Sequence, residues 1–211
     1  MISQFYARKK TWLWSLTELK IVQYPHPTLR YKSKPITRVD RELREIVKSM
    51  FVLMYEAKGI GLAANQVDLP LQLFIVNTKS DPEEGEELVF INPVITAPKG
   101  SHEAEEGCLS IVGVNAMVAR PEQIHISAYD LDGNEISKTV DGLLAKAIQH
   151  ESDHLEGVLF IDRISESSKK QIDYELEDFE IDFKSRRDTG EIPDDDAILK
   201  RLGEFEAKYC V

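Results

Sequence analysis

The sequence has 211 residues, of which 42% are hydrophobic, and a formal net charge of −11. This hydrophobic fraction excludes a wholly disordered chain, and the length suits one domain with an appendage. The negative charge disfavours nucleic acid binding through a broad basic surface.

Residues 1–20 are interpreted as a non-secretory N-terminal extension. Basic residues precede a short apolar run, TWLWSL, which is soon followed by Glu18 and has no evident small-residue cleavage site. No apolar run approaches the length of a membrane span. Two cysteines, Cys108 and Cys210, do not indicate a disulfide framework. We therefore predict a cytoplasmic protein without a membrane partner.

The first predicted helix covers residues 39–59. Its apolar residues recur at helical spacing, namely Leu43, Ile46, Met50, Leu53, Met54 and Ala57. Asp40 is a suitable N-cap, and Gly59 is a suitable stop. Residues 59–66, GIGLAANQ, predict a small-residue loop, which lacks the G-K-[ST] ending of a phosphate loop.

Four later segments are predicted to be strands. They are residues 71–77, 88–95, 123–131 and 134–140. Asp132 and Gly133, between the last two segments, form a strong hairpin signal. Strands on both sides of one helix and before another indicate an α+β domain with mixed or antiparallel sheets.

The segment from Asp141, a plausible N-cap, to Gly157, a plausible stop, predicts a helix with the motif H-E-x-x-H. His150 and His154 are four residues apart, so both imidazoles lie on one helix face and can bind one metal ion. Glu151 can reach a water on that metal. This is the arrangement of metal-assisted hydrolysis.

The C-terminal segment, residues 168–211, is acidic, with 13 Asp or Glu against 8 Lys or Arg. Within it we predict a helix over residues 171–183, a linker over 185–196 and a short helix over 197–209. Because this composition favours solvent over a core, a chain that ends near Ser168 is expected to stay folded.

A catalytic site of this kind needs a third ligand. Phe160, which occupies the position of a third histidine in one extended motif, cannot bind metal. Glu175 or Glu177 would make the protein a zinc endopeptidase, although their all-acidic stretch is typical of a solvated helix face. Cys108 beside Gly107 is the remaining candidate, since a thiolate is a good soft ligand. The residues alone leave these alternatives open.

Three blocks in chain order resemble the signature of peptide deformylases. They are GIGLAANQ at 59–66, EGCLS at 106–110 and QHESDHL at 149–155. Residues 24–30, YPHPTLR, are similar to the N-terminal stretch of that family, and the resemblance covers roughly residues 21–165. It implies a peptide deformylase-like fold with sheets around a central H-E-x-x-H helix. It also implies three segments, an extension at 1–20, a metallohydrolase domain at 21–167 and an acidic extension at 168–211.

The resemblance implies removal of the N-formyl group from the initiator methionine of new polypeptides, with release of formate. Cys108, His150 and His154 would hold one divalent metal ion, with water as the fourth ligand. That ion is expected to be Fe²⁺ in cells, whereas Zn²⁺, Ni²⁺ or Co²⁺ can occupy the same site. Glu151 would act first as general base and then as general acid.

The same resemblance assigns further roles around the metal. Gln66 and the backbone N–H of Leu109 would donate hydrogen bonds to the oxyanion, and both are suitable neutral donors. The substrate-binding residues would be Ile60, Gly61, Gly107, Leu143 and Ala147. Of these, Gly61 would lie close to the formyl group, because a glycine-rich wall can exclude bulkier acyl groups.

The sequence also departs from the family pattern. Val112 replaces a common proline, and Asn115 falls where the family often has an arginine, whereas Arg120 remains near its usual place. The missing arginine leaves a non-catalytic formyl-peptide-binding protein as an alternative. The expected partners are N-formylated nascent peptides. Transient proximity to the ribosome is compatible with this, but the acidic C-terminus should be repelled by RNA phosphates. We expect a monomer or a weak oligomer.

Overall fold

The computed structural model describes residues 19–211, so the proposed N-terminal extension lies almost wholly outside the described part of the chain. The described α-helices are α1 (Arg41–Glu56), α2 (Gly142–Leu155), α3 (Glu166–Asp188) and α4 (Asp195–Tyr209). The strands are β1 (Gly61–Ala63), β2 (Leu73–Val76), β3 (Leu88–Lys99), β4 (His102–Cys108), β5 (Ile111–Arg120), β6 (Gln123–Tyr129) and β7 (Glu135–Asp141). Between residues 19 and 211, no helix combines the length and the apolar character that a membrane crossing requires.

The strands form two antiparallel sheets. One has five strands in the order β1-β2-β3-β6-β7, and the other consists of β4 and β5 alone. Helix α2 packs its apolar face on the larger sheet. The buried side chains that meet there include Phe74, Phe90, Ile124, Ile126, Ala145, Ala147 and Ile148. The predicted α+β class is confirmed, and α2 occupies the central place.

Helix α1 covers the core near β1 and β2 with a stripe of fully or nearly fully buried side chains. Its predicted N-cap is confirmed, because the Asp40 carboxylate accepts a hydrogen bond from the Leu43 N–H at 2.9 Å. The predicted stop at Gly59 is wrong. The helix ends at Glu56, and Lys58 takes the left-handed conformation with φ of 55°. Gly59 instead makes room for Leu109, whose Cδ1 would lie 2.6 Å from a Cβ at this position.

The hairpin predicted at Asp132 and Gly133 is present between β6 and β7. Gly133 has φ of 81°, and the Asp130 carboxylate accepts hydrogen bonds from the backbone N–H groups of Asp132 and Asn134. At the start of α2, Asp141 occupies the N-cap position without a side-chain hydrogen bond, so its predicted capping contact is not formed.

Two parts of the sheet structure were missed by pattern reading. Residues 59–66, predicted as a loop, contain β1 and the first three residues of a short 3₁₀ helix, Ala64–Val67. Strands β4 and β5 were not predicted, because much of each strand is exposed and polar residues interrupt the apolar alternation on which strand prediction depends. Their pairing is nevertheless what carries Cys108 to the site.

The C-terminal segment packs on the domain, contrary to the expectation from its composition. The predicted linker at 185–196 is wrong, since α3 continues to Asp188 and α4 begins at Asp195. Helix α4 buries Ile198, Leu202 and Tyr209 completely or almost completely. The acidic residues lie mostly on the outer faces, so overall charge concealed an apolar inner face. The proposed division of the chain into three segments stays a prediction.

Candidate metal centre

Three of the predicted site residues come together at one buried point. The ligand atoms of Cys108, His150 and His154 all lie within 4.8 Å of one another, and the Cys108 Sγ is 3.2 Å from the His154 Nε2. Cys108 ends β4 at the turn into β5, whereas the two histidines project from α2. The cluster therefore joins the small sheet to the central helix.

The cysteine sulfur is surrounded by hydrogen-bond donors. The backbone N–H of Ser110 and the Gln66 Nε2 each lie 3.4 Å from the Cys108 Sγ. These two donors fix the position of the sulfur at the cluster. A thiolate with two imidazoles is a donor set that suits a borderline-soft divalent cation.

Negative groups also shape the environment of His150. Burial by itself would lower the pKa of this imidazole, but hydrogen bonds to Cys108 and Glu106 outweigh burial and raise the pKa to about 10. The two partners thus favour positive charge at this point, which a bound cation supplies equally well. For His154, burial and the neighbouring His150 lower the pKa well below its usual value, so the ring is neutral and able to act as a ligand.

A chain of side chains behind the cluster orients His150. Its Nδ1–H donates to the Glu106 Oε2 at 3.0 Å, which leaves Nε2 to face the other ligands. Arg120 donates to both Glu106 oxygens, at 2.5 and 2.8 Å, and to Asp153 at 2.8 Å. Arg163 closes the chain by pairing with Asp153. Burial would raise the pKa of Glu106, but the hydrogen bonds from His150 and Arg120 lower it to about 2.

The sequence motifs predicted no role for these supporting residues. Glu106 stood inside the EGCLS block and Asp153 inside H-E-x-x-H, but neither position identified its partner. Partners of this kind fix the ring orientation and tautomer of a ligating histidine. The sequence could have indicated these residues in one way. Ionisable residues in segments that had to be buried predict ion pairs, since buried charges are almost always paired.

Glu151 lies next to the cluster and is only 4% exposed. Burial raises the pKa of its carboxyl to about 7, although His150 and Arg120 act in the opposite direction. Its Oε2 has no hydrogen-bond partner between residues 19 and 211. A buried carboxylate with one uncommitted oxygen and a pKa near neutrality suits proton transfer.

Gln66 is held with its amide beside Cys108. Its Oε1 accepts from the Ala63 N–H at 2.8 Å, and its Nε2 donates to the Ser110 Oγ at 3.2 Å. Leu109, between Cys108 and Ser110 in the chain, is fixed through its carbonyl oxygen, which accepts from the Gln23 Nε2 at 3.0 Å. The two predicted oxyanion donors thus lie on the cysteine side of the cluster.

A cleft of about 550 Å³ opens onto the cluster. Its lining includes all the predicted substrate-binding residues, Ile60, Gly61, Gly107, Leu143 and Ala147, together with Gln66, Leu109 and Glu151. Asn115 also lines the cleft, and it pairs with Gly107 across β4 and β5. A Cβ on Gly107 would collide with the Asn115 Oδ1, so the carboxamide lies directly over that glycine.

The alternative third ligands are not part of the cluster. Glu175 and Glu177 are exposed on α3, and neither belongs to a group of possible metal ligands found between residues 19 and 211. Phe160 is buried and stacks on the His150 ring at 6.3 Å between centroids. The zinc endopeptidase hypothesis therefore lacks the ligand on which it depends.

Comparison with known proteins gives one consistent result. The family model described as polypeptide deformylase matches residues 18–170. A peptide deformylase of Rhodopirellula baltica is 46% identical over 191 residues, which cover 90% of this chain and 95% of the relative. Peptide deformylase 1B of Arabidopsis thaliana, named as chloroplastic/mitochondrial, is 44% identical, and the match covers 81% of this chain and 63% of that protein.

Solved structures agree with the sequence matches. The crystal structure of a plant peptide deformylase superimposes with a TM-score of 0.78 at 43% identity, covering 85% of this chain and 96% of that one. The peptide deformylase of Plasmodium falciparum gives a TM-score of 0.76 at 39% identity, covering 79% and 98%. The range matched by the family model includes the cleft, the cluster and α2.

Proposed function

The chain belongs to the peptide deformylase family, and we infer on this premise how its cleft removes the formyl group from an N-terminal methionine. The enzyme is a metal-dependent amide hydrolase that releases formate. The observation that carries the residue assignment is the convergence of Cys108, His150 and His154 beside the buried Glu151.

We propose that these three ligands hold one divalent metal ion, which is Fe²⁺ in cells. The buried cysteine sulfur and the two imidazoles fit such an ion, and Zn²⁺, Ni²⁺ and Co²⁺ fit the same donors, since donor type alone does not select among them. When bound, the ion supplies Lewis acidity and lowers the pKa of a coordinated water.

The side chains of this protein carry the remaining steps. Glu151 accepts the proton of the attacking water and then delivers it to the leaving amine, a sequence that a carboxyl with a pKa near 7 performs well. Gln66 and the Leu109 N–H donate hydrogen bonds to the oxygen of the formyl group as charge develops there. Ile60, Leu143 and Ala147 receive the methionine side chain. Gly61 and Gly107 have no side chains, so they leave space for the substrate at the walls of the cleft.

The partners proposed for this enzyme are N-formylated nascent peptides in the cytoplasm, so that it acts during protein biosynthesis. Two free cysteines, Cys108 and Cys210, support a reducing compartment. The plant relative named as chloroplastic/mitochondrial makes an organelle the alternative. The acidic C-terminal helices argue against docking to ribosomal RNA through α3 or α4. We propose a monomer or a weak oligomer.

Formate release from formyl-Met-Ala-Ser by the iron-loaded protein tests this function. We expect turnover in the wild type and its loss, together with loss of bound metal, in Cys108→Ala. Cys210→Ala removes the other thiol and should keep both. Metal binding that survives Cys108→Ala would contradict the ligand assignment. Binding of the formylated peptide without formate release would establish a non-catalytic binding protein instead.

A further inference from the structure

The rim of the active-site cleft carries two lysines that have no partner among residues 19–211. Lys58 is exposed in the turn after α1, and Lys146 is half-buried on α2, and both line the cleft. Neither ammonium group forms an ion pair or a hydrogen bond with any residue between 19 and 211. Arginines around the domain are by contrast paired with carboxylates, as Arg30, Arg44, Arg120 and Arg163 are.

Lys146 belongs to the wall of the cleft that α2 provides. It lies on the α2 face that also carries Leu143, Ala147 and His150, one helical turn before His150. The four-residue separation corresponds to about 6 Å along the helix axis. The half-buried side chain of Lys146 therefore lines the cleft beside the methionine pocket, and its ammonium group can extend toward solvent at the rim.

The remaining charges of the cleft leave this rim positive. Glu106 is committed to Arg120 and His150, and Glu151 is buried at the reaction centre. Glu105 is the one other carboxylate among the described lining residues, and it is exposed. Two free ammonium groups thus outnumber one exposed carboxylate, in a chain whose net charge is −11.

We propose that Lys146, assisted by Lys58, selects substrates with an acidic side chain within the two residues that follow the formylated methionine. The proposal rests on the deformylase function and adds a substrate preference to it. Asn115, which stands where the family often has an arginine, adds no positive charge to the wall of the cleft formed by β4 and β5. The positive charge that meets the peptide downstream of methionine therefore comes from the lysines.

Amidated tripeptides provide the test, because they remove the C-terminal carboxylate that would otherwise bind the lysines. Formate release is compared for formyl-Met-Glu-Ala-amide, formyl-Met-Gln-Ala-amide and formyl-Met-Lys-Ala-amide, and for the isomers with the variable residue in third place. In at least one of the two positions, we expect kcat/KM for the glutamate peptide to exceed that of its glutamine counterpart by about threefold to fivefold. This is the scale of one partly exposed ion pair. The gain should appear in KM, as expected for uniform binding.

Charge reversal distinguishes a direct contact with Lys146 from an effect of the overall charge of the protein. Lys146→Glu should invert the order, so that the lysine peptide becomes the better substrate. Lys138→Glu is the matched control, because Lys138 is also half-buried and unpaired with described residues but lies on β7 outside the cleft. It should keep the wild-type order. The preference should also vanish at 1 M salt, where the Debye length is about 3 Å.

Binding of the unformylated products, Met-Glu-Ala-amide and Met-Gln-Ala-amide, by calorimetry tests the rim without turnover. If no peptide releases formate, the proposed function fails while this comparison still measures the preference. Equal KM and equal product affinity for glutamate and glutamine peptides would overturn the proposal. So would an equal change of preference in Lys146→Glu and Lys138→Glu.

Discussion

Gly61 lies directly against the carboxyl group of Glu151. A Cβ added to Gly61 would be 2.9 Å from both Cγ and Cδ of Glu151, well inside van der Waals contact. The glycine had been expected to face the formyl group of the substrate. In the structure its missing side chain also leaves space for the carboxyl proposed to transfer the proton.

We therefore predict that Gly61→Ala displaces Glu151 and lowers kcat by at least about 10²-fold, the scale of general acid–base catalysis. Metal content should remain near that of the wild type. Gly203→Ala on α4 is the control, since a Cβ there meets nothing within 4 Å. Glu151→Gln, which keeps the shape but cannot accept a proton, should show a similar loss with metal retained. Near-normal turnover in both site variants would remove Glu151 from the mechanism.

Glu106→Gln should weaken metal binding. Glu106 holds the Nδ1–H of His150 and neutralises the buried Arg120, so the variant loses an anionic acceptor and leaves Arg120 partly unpaired. A loss of about 10- to 100-fold in metal affinity is expected for such a partner. Competition with a chelator measures it. Glu103→Gln on the same strand removes an exposed carboxylate and should leave the affinity unchanged; an equal loss there would refute the assigned role.

Asn115→Arg should lower KM for formylated tripeptides with little change in kcat. Asparagine is too short and uncharged to replace the arginine that the family often has, and Asn115 lines the cleft. The expected gain is about 1 kcal/mol, typical of one hydrogen bond. Formyl-methionine amide, which lacks the downstream peptide, should gain much less. Equal effects on the long and short substrates would show that residue 115 does not meet the peptide.

Protonation of His26 should lower the free energy of unfolding in mild acid. Burial, followed by Arg201 and Arg187, lowers the pKa of His26 to about 4, whereas Asp195 opposes the shift. The unfolded chain binds a proton near pH 6.5 and the folded chain only near pH 4, so stability falls as pH decreases between these values. The loss by pH 4 is at most about 3 kcal/mol. The His26 Nδ1 accepts a hydrogen bond from the Thr28 N–H, and asparagine can cap this short helix in the same way without titrating. Urea unfolding of His26→Asn should therefore show a flatter profile; identical profiles would exclude this histidine as the cause.

Removal of the C-terminal segment should destabilise the domain, contrary to the expectation from composition. Tyr209 belongs to the same buried cluster as α1, and its carbonyl oxygen accepts hydrogen bonds from the N–H and Oγ1 of Thr37. Loss of one such aromatic side chain alone costs about 3–5 kcal/mol. Thermal unfolding of a chain that ends at Ser168, compared with Tyr209→Ala, measures this. An unchanged melting temperature in both would show that α4 contributes nothing to the domain.

The local features of this protein follow from its sequence alone. The four-residue spacing of His150 and His154 requires one shared helix face, and Asp132-Gly133 requires a tight turn, because helix periodicity and turn geometry depend on near neighbours. Asp40 as N-cap is equally local. These predictions are confirmed, and together with the three motif blocks they were enough to indicate the family.

The tertiary structure decided everything that depends on distant residues. From the residues alone Cys108 and Glu177 were both possible third ligands, and pairing of β4 with β5 places Cys108, but not Glu177, at the histidines. The same pairing brings Arg120 to Glu106. The net charge of the C-terminal segment predicted exposure to solvent, but burial depends on which face of α4 meets the domain. Composition averages over all faces of a helix, whereas packing selects one of them.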